Sequence, residues 1–357
     1  MRQATVYIDQ EALQYNLNRV RELAPAAKIV SMVKANAYGH GVKDCLAALK
    51  DTDAFGVACL EEALEIRELG YEQPITLIEG VFSADEMQAA VANGLECLVH
   101  HQPQLDWLRA HKDAYIAKGL KVWVKLNSGM NRLGFKVPEI IAVINSLKAE
   151  GFSCVLAMHF ANADADSHPL NEQQRAQFLQ VKEACAPVLG SCCNSAAICK
   201  WPELNFDFVR PGIMLYGASP FSDKTVQDLG LKPVMTFTAE IIALNSIQAG
   251  EAVGYGSTFV ADQDMDLAIV SIGYGDGYPR AFPKQNYVAA NGRQARVIGR
   301  VAMDMIAIDI TGMAAPIGTE VELWGNRRLV DDVAEANGTI GYELLCRLSG
   351  RPVRKLR

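Results

Sequence analysis

From residue 28 to about residue 217 the chain repeats one pattern, a short apolar run followed by an amphipathic stretch. Short apolar, β-branched runs read as buried strands, and apolar residues at helical spacing read as helices, so each repeat is a βα unit. Eight runs qualify as strands: Ile29 to Val33, Ala54 to Cys59, Ile75 to Glu79, Cys97 to His100, Val122 to Leu126, Val155 to Phe160, Ser191 to Asn194 and Phe206 to Val209. Helix-like stretches separate them, among them Leu60 to Leu69, Ala84 to Ala92, Pro138 to Ala149 and Glu172 to Ala186. Such a series predicts a (β/α)8 barrel of the TIM type. After about residue 230 strand-like segments with glycine-rich turns take over, from Val234 to Leu244 through to Val321 to Trp324, with Asn291-Gly292 as a hairpin turn. The expected fold class is α/β: an N-terminal (β/α)8 barrel over residues 10–230 and a C-terminal mostly-β domain over residues 231–357. A strand at residues 3–9 is expected to pack with the second domain.

In such barrels the reactive groups stand at the C-terminal ends of the strands. Lys34, Lys125, Asn127, His159, Ser195 and Arg210 all fall there, on one rim. Lys34 carries the most chemistry, because an amine drawn out of water shifts toward the neutral form that condenses with carbonyls or takes a proton from carbon. Asn194-Ser195-Ala196-Ala197 and Arg210-Pro211-Gly212-Ile213 follow the last two strands, where barrels of this kind often hold phosphate on backbone N–H groups. The formal net charge of −7 and the lack of a long basic run argue against nucleic acid and anionic membranes as partners. Any anion is therefore bound locally. The N-terminus meets an acid, Asp9, before any long apolar region, so no leader or membrane span is expected and the cytoplasm is the expected location. The nine cysteines show no CxxC pair or zinc spacing and read as small buried hydrophobes; no metal site is expected.

The string VKANAYGHG at Val33–Gly41 resembles the pyridoxal 5'-phosphate lysine motif of alanine racemases, and NSAA at Asn194–Ala197 and VRPGIMLYG at Val209–Gly217 resemble that family's cofactor-binding stretches. Further likenesses lie at Val124–Phe135, Val253–Thr258, Gly299–Asp304 and Gly341–Glu343. The resemblance implies that Lys34 carries the cofactor, with Tyr38, His159, Ser195, Gly212, Ile213 and Tyr342 around it. Arg210 would face the pyridine nitrogen; since arginine keeps its protons, the ring stays a weak electron sink, which suits racemisation over transamination. Tyr255 would be the second base, linked to His159 and Arg210. Arg132 would meet the substrate carboxylate, Lys125 would steady it, carbamylated in many members, and Met303 would limit side-chain size. The implied reaction interconverts L- and D-alanine, supplying or consuming D-alanine, a cell-wall precursor. The implied assembly is a head-to-tail homodimer in which each site takes Tyr255 from the partner chain. The alternative is an amino-acid racemase of broader specificity. A non-catalytic pyridoxal-phosphate carrier would share Lys34 but lacks a second domain and a residue like Tyr255.

Overall fold

The computed structural model describes residues 4–280 and 286–357. Residue 3 of the expected N-terminal strand lies outside them. The first strand, β1 (Thr5–Ile8), precedes a helix, Gln10–Leu23, that starts where the Asp9 carboxylate accepts the Ala12 N–H at 2.8 Å. The barrel strands follow: β2 (Lys28–Met32), β3 (Ala54–Val57), β4 (Ile75–Leu77), β5 (Leu95–Val99), β6 (Lys121–Lys125), β7 (Ser153–Ala157), β8 (Leu189–Ser191) and β9 (Phe208–Val209). They pair in parallel in the order β8-β7-β6-β5-β4-β3-β2-β9. The Arg210 N–H donates to Cys193 O at 3.0 Å, so β9 meets the end of β8 and the ring nearly closes. The eight-stranded barrel expected from the periodicity is present. One strand sits differently: Cys192–Asn194 lie beyond β8, because the Asn194 side chain accepts the Ala197 N–H and caps the helix Ser195–Lys200.

Inside the barrel one carboxylate organises the strands. Glu96, buried on β5, accepts from Trp123 Nε1 (2.8 Å), Lys121 Nζ (3.0 Å) and Thr76 Oγ1 (3.3 Å), so its charge is met by donors from two neighbouring strands. Trp123 is held at that end and packs on Phe208 with ring centroids 5.1 Å apart.

Beyond the barrel come β10 (Met235–Ile247), β11 (Ala252–Val253), β12 (Phe259–Val260), β13 (Met265–Val270), β14 (Tyr287–Ala290), β15 (Arg293–Ile298), β16 (Ile306–Asp309), β17 (Glu320–Trp324) and β18 (Val353–Leu356). All but the β11-β12 ribbon join one sheet, β13-β16-β15-β14-β17-β10-β1-β18, which folds back on itself through a β13–β10 pairing. The hairpin between β14 and β15 turns on Asn291 and Gly292, both at positive φ (45° and 73°), as the sequence predicts. The first strand pairs antiparallel with β10 and parallel with β18, so both ends of the described chain meet in this sheet.

Asp331, in the helix Val330–Ala336, joins the two parts: its carboxylate accepts the Ser219 N–H at 2.9 Å and lies against Gly341. Burial pushes its pKa up to about 6, against the pull of the Ser219 N–H and with help from Asp332. A carboxyl whose folded pKa exceeds its unfolded value binds the proton more tightly when folded, so this group's contribution to stability falls as pH rises from about 4 to about 6. Asp331→Asn is expected to be more stable than the unaltered chain above pH 6, with the gap closing toward pH 4. Urea midpoints measured across this range check the sign.

Candidate active site

A cavity of about 580 Å³ opens at the C-terminal ends of the barrel strands. Lys34, Tyr38, Lys125, Arg132, His159, Ser195, Arg210, Gly212, Ile213 and Tyr342 line it. Of the rim read from the sequence, Lys34, Lys125, His159, Ser195 and Arg210 converge on one space, whereas Asn127 is not part of the lining and turns its side chain to the loop that follows. Tyr255 and Met303 are not part of this lining.

Lys34 follows β2 directly and opens the turn Lys34–Tyr38. The sequence suggests a glycine-punctuated loop here, but four consecutive non-glycine residues, Ala35 to Tyr38, adopt left-handed φ of 51–53°. Each such residue costs roughly 1–2 kcal/mol, so the turn persists only because its surroundings hold it. Glu62 does part of this, accepting the Ala35 N–H at 2.6 Å and the Ala58 N–H at 2.8 Å. Gly39 ends the turn at φ +79°, where a Cβ would come within 1.9 Å of Leu345 O.

Across from this turn lies a cradle of donors. The Ser195 hydroxyl oxygen accepts the N–H groups of Gly212 (2.9 Å) and Met214 (3.4 Å), which leaves its own proton free. The Ile213 N–H donates to none of the described residues. Gly212 is tight against the Lys34 turn, since a Cβ there would approach Tyr38 Oη to 2.4 Å. The phosphate-binding expectation therefore changes in detail: the Gly212 N–H is used internally, and the free donors are Ser195 O–H and Ile213 N–H.

Arg210 is buried and donates to Ser191 O at 2.9 Å, to Ser191 Oγ and to Met158 O. Among the described residues no carboxylate pairs with it. Lys125 is in a similar position, with burial first and then the Arg210 and Arg132 guanidinium groups pushing its pKa well below the usual lysine range. That shift favours the neutral, nucleophilic form of its amine. His159 is likewise held neutral, by burial and by Lys125, Arg210, Arg132 and Lys34, in that order. Four basic side chains, Lys34, Lys125, Arg132 and Arg210, face a single lining carboxylate, Glu79. In a chain of net charge −7, such a cavity is built for anions.

Arg132 reaches the cavity from a closed loop. Phe135 and Asn127 exchange backbone bonds around it (Phe135 N–H to Lys125 O and Asn127 N–H to Phe135 O, both 2.9 Å), and the Asn127 side chain accepts the N–H groups of Gly129 and Asn131. Gln174, fully buried, ties this loop to the one after β7, donating to Ser128 Oγ (3.0 Å) and His159 O (2.9 Å) and accepting the Ala161 N–H.

This construction recurs in known proteins. Residues 8–220 match the family model described as alanine racemase, N-terminal domain, and residues 234–356 match alanine racemase, C-terminal domain. The chain belongs to the alanine racemase family. It is 47% identical to alanine racemase of Psychrobacter sp. (strain PRwf-1), with all of both chains covered. It is 43% identical to the biosynthetic alanine racemase of Escherichia coli (strain K12), covering 99% of each. The solved alanine racemase from Acinetobacter baumannii superposes with a TM-score of 0.99 at 77% identity over the whole of both chains. That of Bartonella henselae, solved with covalently bound pyridoxal phosphate, gives 0.88 at 29% identity over 99% of each chain. The chain is thus an amino-acid racemase, an isomerase.

In the racemase, Tyr255 and Met303 occupy a separate face of the β domain. Tyr255 sits on a turn between Gly254 and Gly256, both at positive φ, and is 73% exposed. Met303 is 53% exposed, and Arg300 on the same segment lies against the Tyr255 turn. Sequence reading missed Trp123, Glu79, Gln174 and Cys346. Cys346 also departs from the expectation of buried cysteines, being exposed and part of the cavity wall. Among the described residues no cluster could hold a metal ion, and no helix is long and apolar enough to cross a membrane.

Proposed function

We propose that the chain interconverts L- and D-alanine with pyridoxal 5'-phosphate, using Lys34 and Tyr255 as bases on opposite faces of the substrate. The observation that carries this is the cavity's four basic side chains against one carboxylate, with a lysine at a strand end beside unused donors. The residues fit the cofactor. Ser195 O–H and Ile213 N–H are donors in want of a phosphate, and Arg210 is a buried cation with no carboxylate partner. When bound, pyridoxal phosphate supplies an electron sink that makes the Cα–H of an attached amino acid acidic.

Ser195 O–H and Ile213 N–H would hold the phosphate end with Tyr342, Gly212 would let the backbone come close, and Tyr38 would pack behind the ring. Arg210 offers a hydrogen bond to a ring nitrogen without surrendering a proton, which disfavours transamination. His159, neutral, sits beside Arg210 and relays its charge toward the tyrosine. Lys34 Nζ takes or returns the proton on one face and Tyr255 Oη on the other, so one proton leaves and one arrives in each turnover. Arg132 binds the substrate carboxylate in a bidentate manner. The Lys125 amine, in its neutral form, adds carbon dioxide and loses a proton to become a carbamate that steadies Arg132. Met303 limits the substrate to small side chains. Tyr255 and Met303 come from a second copy in a head-to-tail homodimer, since each stands outside the cavity of its own chain.

The chain divides near residue 230 into a cofactor-binding barrel and a β domain that supplies the opposing wall. It acts in the cytoplasm, where it supplies or consumes D-alanine for cell-wall chemistry. A racemisation assay over L-alanine, L-serine and larger amino acids tests the specificity. Turnover of alanine well above the others supports the reading, and comparable turnover of larger side chains favours the broader-specificity alternative.

A further inference from the structure

We propose that His40 is a positioning residue for Lys34, its imidazole N–H clamping the left-handed turn that aims the lysine into the cavity. The proposal rests on the reading of Lys34 as the cofactor lysine. The turn's own backbone bonds are Ala37 N–H to Val33 O (2.8 Å), Gly39 N–H to Ala35 O (2.9 Å), His40 N–H to Ala37 O (3.0 Å) and Gly41 N–H to Asn36 O (3.0 Å). None of them reaches the carbonyl of Tyr38. Its donor is the imidazole, whose Nδ1 lies 3.0 Å from Tyr38 O and 3.1 Å from Ala37 O. Both partners are carbonyl oxygens, so Nδ1 carries the hydrogen.

The rest of the imidazole is held by its surroundings. His40 is fully buried, and among the described residues its Nε2 has no hydrogen-bond partner. Burial, with Arg354 nearby, also keeps the ring neutral by lowering its pKa to about 4, so the Nδ1–H form persists at working pH. The ring packs tilted against Tyr216 with centroids 4.6 Å apart, and Tyr216 stacks on Tyr38 at 4.9 Å. Tyr216 Oη donates to Met32 O at 2.8 Å, two residues before Lys34. His40 and Tyr216 therefore grip the chain on both sides of the lysine, and Arg354 adds a bond to Gly39 O at 3.1 Å. Four left-handed residues in a row need that much restraint.

The experiment compares His40→Asn, which keeps an N–H donor near the place of Nδ1, with His40→Leu, which keeps bulk and loses the donor. Hydrogen exchange is followed at the Gly39 and Gly41 amides of the isolated enzyme, alongside kcat and KM. His40→Leu is expected to speed exchange at these two amides about tenfold or more and to lower kcat about tenfold with little change in KM, while His40→Asn stays within about threefold of the unaltered enzyme. A His40→Leu enzyme with unchanged exchange and kcat, or a folded His40→Asn enzyme with an unprotected turn, overturns the clamp. If either variant fails to fold, the ¹⁵N shifts of His40 in the unaltered enzyme decide: Nδ1 protonated supports the clamp, and the opposite tautomer refutes it. Borohydride labelling is run in parallel. Label on another lysine refutes the reading of Lys34 and leaves the exchange and tautomer results to judge the clamp alone.

Discussion

Borohydride reduction of the purified, yellow enzyme is expected to fix the cofactor to the peptide that contains Lys34, and Lys34→Ala is expected to lose that label together with racemisation. The size of the loss follows from the roles combined in one amine: removing a positioned base alone costs roughly 10²–10⁴-fold, and covalent attachment goes with it. The result is not trivial, because two lysines line the cavity. Lys125 is the one whose surroundings favour the neutral amine, the form that condenses with a carbonyl. Position argues the other way. In pyridoxal phosphate the aldehyde and the phosphate arm stand on neighbouring ring carbons, so the acceptor amine has to lie close to the phosphate donors. Those donors follow β8 and β9, and β9 pairs directly with β2, whose end carries Lys34. Gly212 and Tyr38 are in near contact across that seam. Lys125 ends β6, three strands from β9 around the ring. Peptide mapping of the reduced label distinguishes the two, and label on Lys125 would reverse the assignment.

What could be read from the chain is what local physics controls. The βα alternation marks strands because a parallel strand buried on both faces must be apolar throughout, and the Asn291-Gly292 turn is legible because both positions need positive φ. β8 was harder: Cys192 and Cys193 look like strand, but Asn194 caps a helix and ends the pairing at Ser191. The turn after Lys34 was not legible at all, since alanine and tyrosine give no local reason to adopt left-handed angles. Its causes are Glu62, His40, Tyr216 and Arg354, the last more than three hundred positions away. Gln174 is another case, meaningful only once the loops after β6 and β7 are side by side. Site residues read from the strand pattern alone stood at strand ends, whereas residues such as Gln174 and Arg354 that hold the loops in place are distant from them in the chain.

On the proposed mechanism, Tyr255 has to reach the site from a second chain. It stands 73% exposed on a glycine-bounded turn, outside the lining of the cavity that needs a base opposite Lys34. A partner chain in a two-fold, head-to-tail arrangement can bring this face to the barrel mouth, and symmetry then makes both sites alike. Mixing two inactive variants tests this directly. Lys34→Ala and Tyr255→Ala, each inactive alone, are unfolded together and refolded so that chains exchange. In a mixed dimer one site combines both defects, and the other receives an intact Lys34 from one chain and an intact Tyr255 from the other. Random pairing makes about half the dimers mixed, so roughly a quarter of all sites should regain activity. If Lys34 and Tyr255 of a site came from the same chain, no pairing could rebuild one. Efficient refolding to dimers with no recovered racemisation would therefore eliminate the shared site, and the second base would have to be sought among the residues of the barrel itself.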